Sequence, residues 1–293
     1  MRISDAMQTN GIATSLQSME SQYQNASQVA ASGLKINAPS DDPVGAAQLA
    51  RVQASIDQTT TYQNTITSVQ GDLTLAESSL ASASDVIASV KELALEASDG
   101  SMTASARQSM ATQVAQLQSQ LLSIANTKGT NGYIFSGSQT NTAAFSDTGT
   151  YQGDNVDRTA EVGQGNTAVV NVTGAKAFTA AGGIDVFATL SALQTALSNN
   201  DMSGISASVS GLDSASSQIS VAEGDAGIKL DRLSTASTAH QQTQLSLASE
   251  QHGLASADPA QAYSQLTTLQ NALEQAIATS RLTLSTLSAN RFQ

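Results

Sequence analysis

The chain has 293 residues, which is enough to bury a substantial core in one or two domains. Only 12% of the residues are charged and 3% are aromatic, and neither cysteine nor tryptophan occurs. The net charge is -12 and the basic residues are scattered singly, which excludes the basic stripe that a nucleic-acid-binding protein needs. No apolar run approaches the roughly 20 residues required to cross a bilayer, so membrane insertion is not expected.

The N-terminal segment predicts an amphipathic helix that ends before Pro39. Its apolar stripe consists of Ile12, Leu16, Met19, Tyr23 and Ala30. A helix with one face in water usually carries more ions than this segment does, and charge depletion is typical of interface cores. We therefore expect neighbouring subunits to cover the outer face of the helix. The alternative is that both chain ends are flexible tails rich in Gln and Ser.

The string Pro39-Ser40-Asp41-Asp42-Pro43 predicts the start of the next helix, near Val44. Carboxylates beside the first turn stabilise the positive end of a helix and can cap its free N–H groups. Cation binding by the paired aspartates is the weaker alternative.

Two further helices follow. The first has apolar or small residues at unbroken three- and four-residue spacing and stops at Asp99-Gly100. The second is shorter. Because only a short polar turn connects them, the two helices are predicted to be antiparallel. The first seam comprises Ile66, Val69, Leu73, Ala76, Leu80, Ala83, Ile87, Val90, Ala94 and Ala97, and the second comprises Met110, Val114, Leu117, Leu121 and Ile124.

The middle of the chain, residues 129–183, predicts a small β-rich insertion. Ten of the 20 glycines lie there, and short apolar strings alternate with turn signals such as Asn-Gly and Gly-Gly. Its aromatic residues suggest a compact core that belongs to the insertion alone.

Helical spacing returns at Ile184 and continues to Leu233, after which the stripe becomes polar at positions such as His240. Asp258-Pro259 predicts the start of a last helix. Its apolar residues are Leu266, Leu269, Leu273, Ile277, Leu284 and Leu287. No catalytic, metal-binding or cofactor-binding constellation is recognisable, and both histidines, His240 and His252, are expected to face solvent. We predict no cofactor and no enzymatic activity.

These features predict a mainly α fold: an elongated multi-helix coiled-coil bundle formed by the N- and C-terminal regions, with a small β-rich insertion domain in the middle. We divide the chain into terminal helices (1–43 plus 251–293), a long-helix rod (44–128 plus 184–250) and an outer domain (129–183).

Several strings resemble signatures of the flagellin superfamily. Ser32-Gly33-Leu34-Lys35 followed by Pro39-Ser40-Asp41-Asp42-Pro43 is similar to its N-terminal signature, and the Pro-Ser-Asp-Asp-Pro form resembles the hook-associated protein 3 family. Ile124-Ala125-Asn126-Thr127 and the segment 132–140 resemble the end of the family's second core helix and the entry to its outer domain. Ala144-Phe145 departs from the family's usual Pro-Phe, and the ending near Leu284 and Leu287 is a loosened version of the usual one.

The resemblance implies a secreted structural subunit of the bacterial flagellum, located outside the cell at the hook–filament junction, that adapts hook to filament and seeds flagellin polymerisation. It implies type III export without a signal peptide, and terminal helices that pair as an inner coiled coil but are disordered in the free monomer. The implied partners are another hook-associated junction protein, flagellin, copies of the same chain in a ring, and an export chaperone. We expect the assembly interface to be formed by Ile12, Leu16, Met19, Tyr23, Leu266, Leu269, Leu273, Ile277, Leu284 and Leu287.

Two other functions remain open from the sequence. A short flagellin would polymerise into the filament itself, and a secreted coiled-coil adhesin would act without a flagellum. An enzyme housed in the middle domain is the least favoured possibility.

Overall fold

The computed structural model describes residues 2–289 and confirms the mainly α fold class. The helices are α1 (Arg2–Ser32), α2 (Pro43–Ala97), α3 (Ala104–Ala125), α4 (Gly174–Phe178), α5 (Val186–Ser198), α6 (Met202–Ala255) and α7 (Pro259–Ala289). The strands are β1 (Lys128–Gly129), β2 (Gly132–Tyr133), β3 (Thr159–Gly163) and β4 (Asn166–Val169). A 3-10 turn occupies Ala180–Gly182.

The chain forms two compact units. Unit 1 contains residues 1–58 and 244–293, and unit 2 contains residues 59–243. Helices α2 and α6 contribute residues to both units. The three-part division made from the sequence stays a prediction.

The helical core of unit 2 is built on the two predicted seams. In α2 every seam residue from Ile66 to Ala97 is buried except Val69, which packs against the core while partly exposed. In α3, Met110, Val114 and Leu121 are buried. Helix α3 packs against α5, and the core includes Leu190 of α5 and residues of α6 such as Ile205. Because these side chains are aliphatic or small, several helices must share one core to bury enough apolar area.

Arg107 ties together the turns at one end of this helical core. It is only 3% exposed, and its guanidinium donates hydrogen bonds to the carbonyl oxygens of Ala97 (2.8 Å) and Met102 (3.0 Å). It also donates to the carbonyl of Asp99 and to Oδ1 of Asn200, both at 2.6 Å. The last carbonyls of α2 have no partner within the helix, so one planar cation supplies donors that the turn lacks.

The insertion contains less β-structure than the sequence suggested. Strands β1 and β2 form one antiparallel two-stranded sheet, and β3 and β4 form another with a bulge between Glu161 and Gly163. Most of the remaining segment is irregular and held by side-chain hydrogen bonds. Asp154 accepts from both the backbone N–H and the hydroxyl of Ser138, and these bonds lower the pKa of its carboxyl group.

The aromatic residues of the insertion do not form a separate core, contrary to expectation. Phe135 and Phe178 meet edge-on with ring centroids 5.6 Å apart, and Phe145 lies 5.0 Å from Phe187, which belongs to α5. All four rings belong to the cluster that contains the helical seams. Tyr151 packs 5.1 Å from Phe145. The insertion therefore shares the core of unit 2.

The expectation that both histidines face solvent is wrong for His240. His252 is exposed, whereas His240 is half-buried and its Nε2 lies 2.6 Å from the carbonyl oxygen of Val162 in β3. The His240 ring also lies 5.5 Å from the ring of Tyr62, whose hydroxyl donates to Glu161 at 3.1 Å. The hairpin β3–β4 therefore packs on the part of α6 where the apolar stripe becomes polar. The sequence pattern did not predict what would cover that part of the helix.

Candidate assembly surface

In unit 1 the two ends of the chain pack against each other as helices α1 and α7. The pair is antiparallel, since Ile12 and Leu16 line one groove with Thr283, while Ala26 lines another with Ala262. Most of the buried and half-buried positions of both helices recur at alternating intervals of four and three residues, as in a coiled coil. Those at this spacing are Ile12, Leu16, Met19, Tyr23, Ala26 and Ala30 in α1, and Ala262, Leu266, Leu269, Leu273, Ala276, Ser280 and Thr283 in α7. Ser27, Val29 and Ala272 are also half-buried and lie beside these positions.

The structure brings seven of the ten predicted interface residues onto this seam. All four α1 residues and Leu266, Leu269 and Leu273 of α7 are half-buried there. Ile277 and Leu284 lie one position beyond the seam positions Ala276 and Thr283 and are exposed at 38% and 43%. The side chain of Leu287 lies outside the described residues. Whether any of these residues contacts another subunit stays a prediction.

Tyr263, Ile277 and Leu284 form an apolar line on α7 that α1 does not cover, here called the outer stripe. The three residues are separated by multiples of seven, which places them on one side of the seam in a coiled coil. Their exposed fractions range from 38% for Ile277 to 60% for Tyr263. The outer stripe, which Gln270 interrupts between Tyr263 and Ile277, is therefore a candidate contact surface for another helix.

The α1–α7 pair is loosely packed. Ala26 and Ala262 are the buried residues along its described length, and alanine contributes little area. Open grooves of about 320 Å³ and 480 Å³ run between the helices. Within the described side chains, no ion pair connects the two helices. The pair is therefore held by partly exposed apolar contacts, which leaves room for additional chains.

The acidic signature segment organises the start of α2. Asp42 accepts hydrogen bonds from the backbone N–H groups of Val44 (3.1 Å) and Gly45 (2.9 Å), which is N-cap geometry. Asp41 turns the other way and accepts from the N–H groups of Asn37 (3.0 Å) and Ala38 (2.8 Å). Asp41 thus binds backbone that precedes it in the chain, and Asp42 binds backbone that follows it. Pro39, Ser40 and Pro43 are exposed.

The segments that precede α2 and α7 pair with each other. The N–H of Lys35 donates to the carbonyl of Ala255 at 2.8 Å, and the N–H of Ala257 donates to that of Gly33 at 2.9 Å. Gly33 has φ +70°, a left-handed conformation that favours glycine after a helix. This bridge fixes the exit from α1 next to the entry to α7, which Asp258 caps through the N–H of Ala260.

The sequence interpretation missed Ala26, Ala262, Ala276, Ser280 and Thr283 as seam residues. Their signal was the four–three spacing alone, since alanine, serine and threonine are not hydrophobic enough to mark a stripe. Ala26 and Ala262 are more fully buried than the larger seam residues, because a small side chain allows the two backbones to approach.

The described part of the chain contains neither a candidate membrane span nor a metal-binding cluster. None of the helices is both long and apolar enough to cross a membrane. No three His, Cys, Asp or Glu side chains within residues 2–289 are grouped so that they could hold a metal ion.

The chain is similar to known flagellar proteins. Residues 3–140 match the model of the bacterial flagellin N-terminal helical region. Flagellar hook-associated protein 3 of Salmonella typhimurium is 26% identical over 180 residues, which are 61% of this chain and 57% of that protein. The chain thus matches less than two thirds of this relative's length.

Solved structures show the same fold. The crystal structure of Bacillus cereus FlgL covers 69% of this chain and 99% of its own, with 21% identity and a TM-score of 0.61. The structure of the flagellar junction protein FlgL from Legionella pneumophila covers 71% of this chain and 99% of its own, with 18% identity and a TM-score of 0.58.

Proposed function

We propose that this chain, a member of the flagellin superfamily related to flagellar hook-associated protein 3, is a structural subunit of the flagellar hook–filament junction. The observation that carries the proposal is the pairing of the two chain ends as α1 and α7, with the outer stripe left exposed. A subunit of this kind works through surfaces, so no catalytic step is assigned to it.

The energetics of the α1–α7 pair favour assembly-dependent order. Burying an aliphatic side chain completely contributes about 1.5–3 kcal/mol, but the seam residues other than Ala26 and Ala262 are only partly buried. Ordering each residue of the two helices costs roughly 1–2 kcal/mol of backbone entropy. Neighbouring subunits that cover Tyr263, Ile277 and Leu284 would add the missing apolar area.

This reasoning predicts that the terminal helices are protease-labile in the free protein. At low concentration, limited proteolysis should remove residues 1–40 and 255–293 and leave a fragment centred on unit 2. Mass spectrometry of the fragments gives the cut sites. Full protection of both ends at low concentration would contradict assembly-dependent order.

The partners follow from the location. Copies of this chain form a ring, with a second hook-associated junction protein on the hook side and flagellin on the filament side. An export chaperone holds the amphipathic C-terminal helix before secretion through the flagellar type III channel, and the assembled protein lies outside the cell. In this arrangement the three-part division made from the sequence is retained, with the segment 129–183 as the outer part, although its aromatic residues share the core of unit 2.

The test is electron microscopy of a strain that lacks the gene, with flagellin assayed in the culture medium. We expect completed hooks without filaments and flagellin lost to the medium. Filaments of normal length would overturn the proposal. Bare hooks without flagellin in the medium would indicate the filament subunit instead.

Complementation then tests the outer stripe. The double variant Ile277→Ser with Leu284→Ser should be secreted but should leave hooks bare, because both changes remove exposed apolar contacts. Leu95→Ser is the matched control, since Leu95 is 51% exposed but lies on α2 in unit 2. It should restore filaments. If both variants restored filaments equally well, the outer stripe would not be part of the assembly interface.

A further inference from the structure

The turn between β1 and β2 contains an Asn131-Gly132 step at the protein surface. Asn131 is exposed, and Gly132 has φ +102°. Asparagine followed by glycine is the dipeptide most prone to spontaneous deamidation, because glycine has no side chain to hinder its backbone nitrogen. The chain contains one other such step, Asn10-Gly11, in helix α1.

The side chain of Asn131 is not free to move. Its Nδ2 donates to Oδ2 of Asp72 at 2.8 Å and to Oγ of Ser68 at 3.4 Å, both on α2. Asp72 is 5% exposed, and its other oxygen accepts from the backbone N–H of Thr130 at 2.9 Å. One buried carboxylate therefore holds both the backbone and the amide of the turn. Hydrogen bonds to a charged acceptor are among the stronger ones in proteins.

We propose that Asn131 is a deamidation site and that Asp72 suppresses its reaction in the folded protein. In the reaction, the deprotonated backbone nitrogen of Gly132 attacks Cγ of Asn131. The bond from Cγ to Nδ2 breaks, ammonia leaves and a five-membered succinimide forms. Water then opens the ring to aspartate or isoaspartate, so the net change exchanges ammonia for water. The attack requires Cγ to turn towards Gly132, which first breaks the contact with Asp72.

The product would damage the same contact. Deamidation replaces a donor with a carboxylate beside the carboxylate of Asp72, and two adjacent carboxylates repel each other. The hairpin β1–β2 would lose the Asn131 part of its attachment to α2. The inference depends only on Asp72, Ser68 and the turn, and it is independent of the proposed function.

The experiment compares deamidation rates in the full-length protein at mildly alkaline pH. Trypsin releases residues 129–158 and 3–35 as separate peptides, so mass spectrometry follows Asn131 and Asn10 in one sample. In folded wild-type protein, Asn131 should react at least about tenfold more slowly than in urea, the factor expected from one hydrogen bond to a charged group. Equal rates in the folded and urea-unfolded protein would overturn the proposal, and this comparison needs no variant.

Asp72→Asn identifies the protecting group. The side chain keeps its size but loses its charge, and one of the two oxygens that accept from Thr130 and Asn131 becomes an NH2 group, which cannot accept. Circular dichroism first checks that the variant is folded. Deamidation at Asn131 should then rise towards the rate in urea, while Asn10 in the same sample is unchanged. An unchanged rate at Asn131 in the folded variant would exclude a role for Asp72.

Discussion

Replacing Arg107 should destabilise unit 2 more than replacing any exposed basic residue. Arg107→Met keeps much of the length of the side chain but removes every donor. The carbonyls of Ala97, Asp99 and Met102 and the amide oxygen of Asn200 then lose a partner in a largely buried site. Leaving buried polar groups unpaired in this way costs about 3–5 kcal/mol.

Each kcal/mol shifts the melting temperature of a domain of this size by about 2–4 °C, so Arg107→Met should lower the unit 2 transition by about 6–20 °C. The melting temperature of Arg107→Lys should lie between those of Arg107→Met and the wild type. A lysine ammonium group cannot reach all of the acceptors that the planar guanidinium group of arginine contacts. Arg232→Met is the matched control, since Arg232 is an exposed arginine on α6.

Differential scanning calorimetry is the appropriate assay, because it can separate a transition of unit 2 from that of the terminal helices. Surface substitutions usually change stability by less than about 0.5 kcal/mol, so the control should melt with the wild type. If Arg107→Met and Arg232→Met melted together, the turns would not depend on the guanidinium and this reasoning would be refuted. Asn200→Gly should cost less than Arg107→Met, because it removes one acceptor but relieves the positive φ of 56° at that position.

Three smaller predictions concern single contacts. Asp42→Ala should destabilise unit 1 by about 1 kcal/mol in urea unfolding through loss of the α2 cap, and no loss would contradict the capping role. Gly129→Ala should lower the melting temperature, because a Cβ there would clash with Oδ1 of Asp72, whereas Gly100→Ala, with nothing within 4 Å, should not. Burial raises the pKa of Tyr151 to about 12, so the folded state keeps the phenol proton that the unfolded state loses above pH 10. Stability should therefore fall by about 1–2 kcal/mol between roughly pH 10 and 12, and Tyr151→Phe should abolish that part; an unchanged slope would be evidence against it.

The seams of α2 and α3 could be predicted because large aliphatic residues mark most of their turns and alanines continue the same spacing between them. The same method selected Ile277 and Leu284 as assembly residues of α7, whereas the positions of the α1–α7 seam in the structure are Ala276 and Thr283. Two lines with the same seven-residue repeat run side by side on this helix. A prediction from hydrophobicity favours the line with the larger side chains, Ile277 and Leu284. In the structure, α1 packs instead on the line that continues the seven-residue repeat of Leu269.

The insertion shows a different limit. Local patterns indicated turns and short strands between residues 129 and 183, but the structure contains less strand there than they suggested. They could not show that Phe145 meets Phe187 of α5, because no periodicity relates residues in different elements. The docking of Val162 on His240 was missed for the same reason. Contacts between distant parts of the chain therefore account for both errors.

Buried polar side chains distinguish the two units. Among the described residues, all the buried polar and charged side chains lie in unit 2, including Asp72, Arg107 and Gln218. Like Arg107, Gln218 forms hydrogen bonds with several backbone carbonyl groups, because its side-chain amide donates to the carbonyl oxygens of Ala177 and Thr179. Such networks favour one arrangement over others, because any alternative leaves a buried group unpaired. The α1–α7 seam contains no such constraint in its described length, so it can adjust its packing when other helices add to it. A self-contained unit 2 and an adaptable helix pair would suit the junction role proposed above, because the pair could adjust its packing to different neighbours without disturbing the core of unit 2.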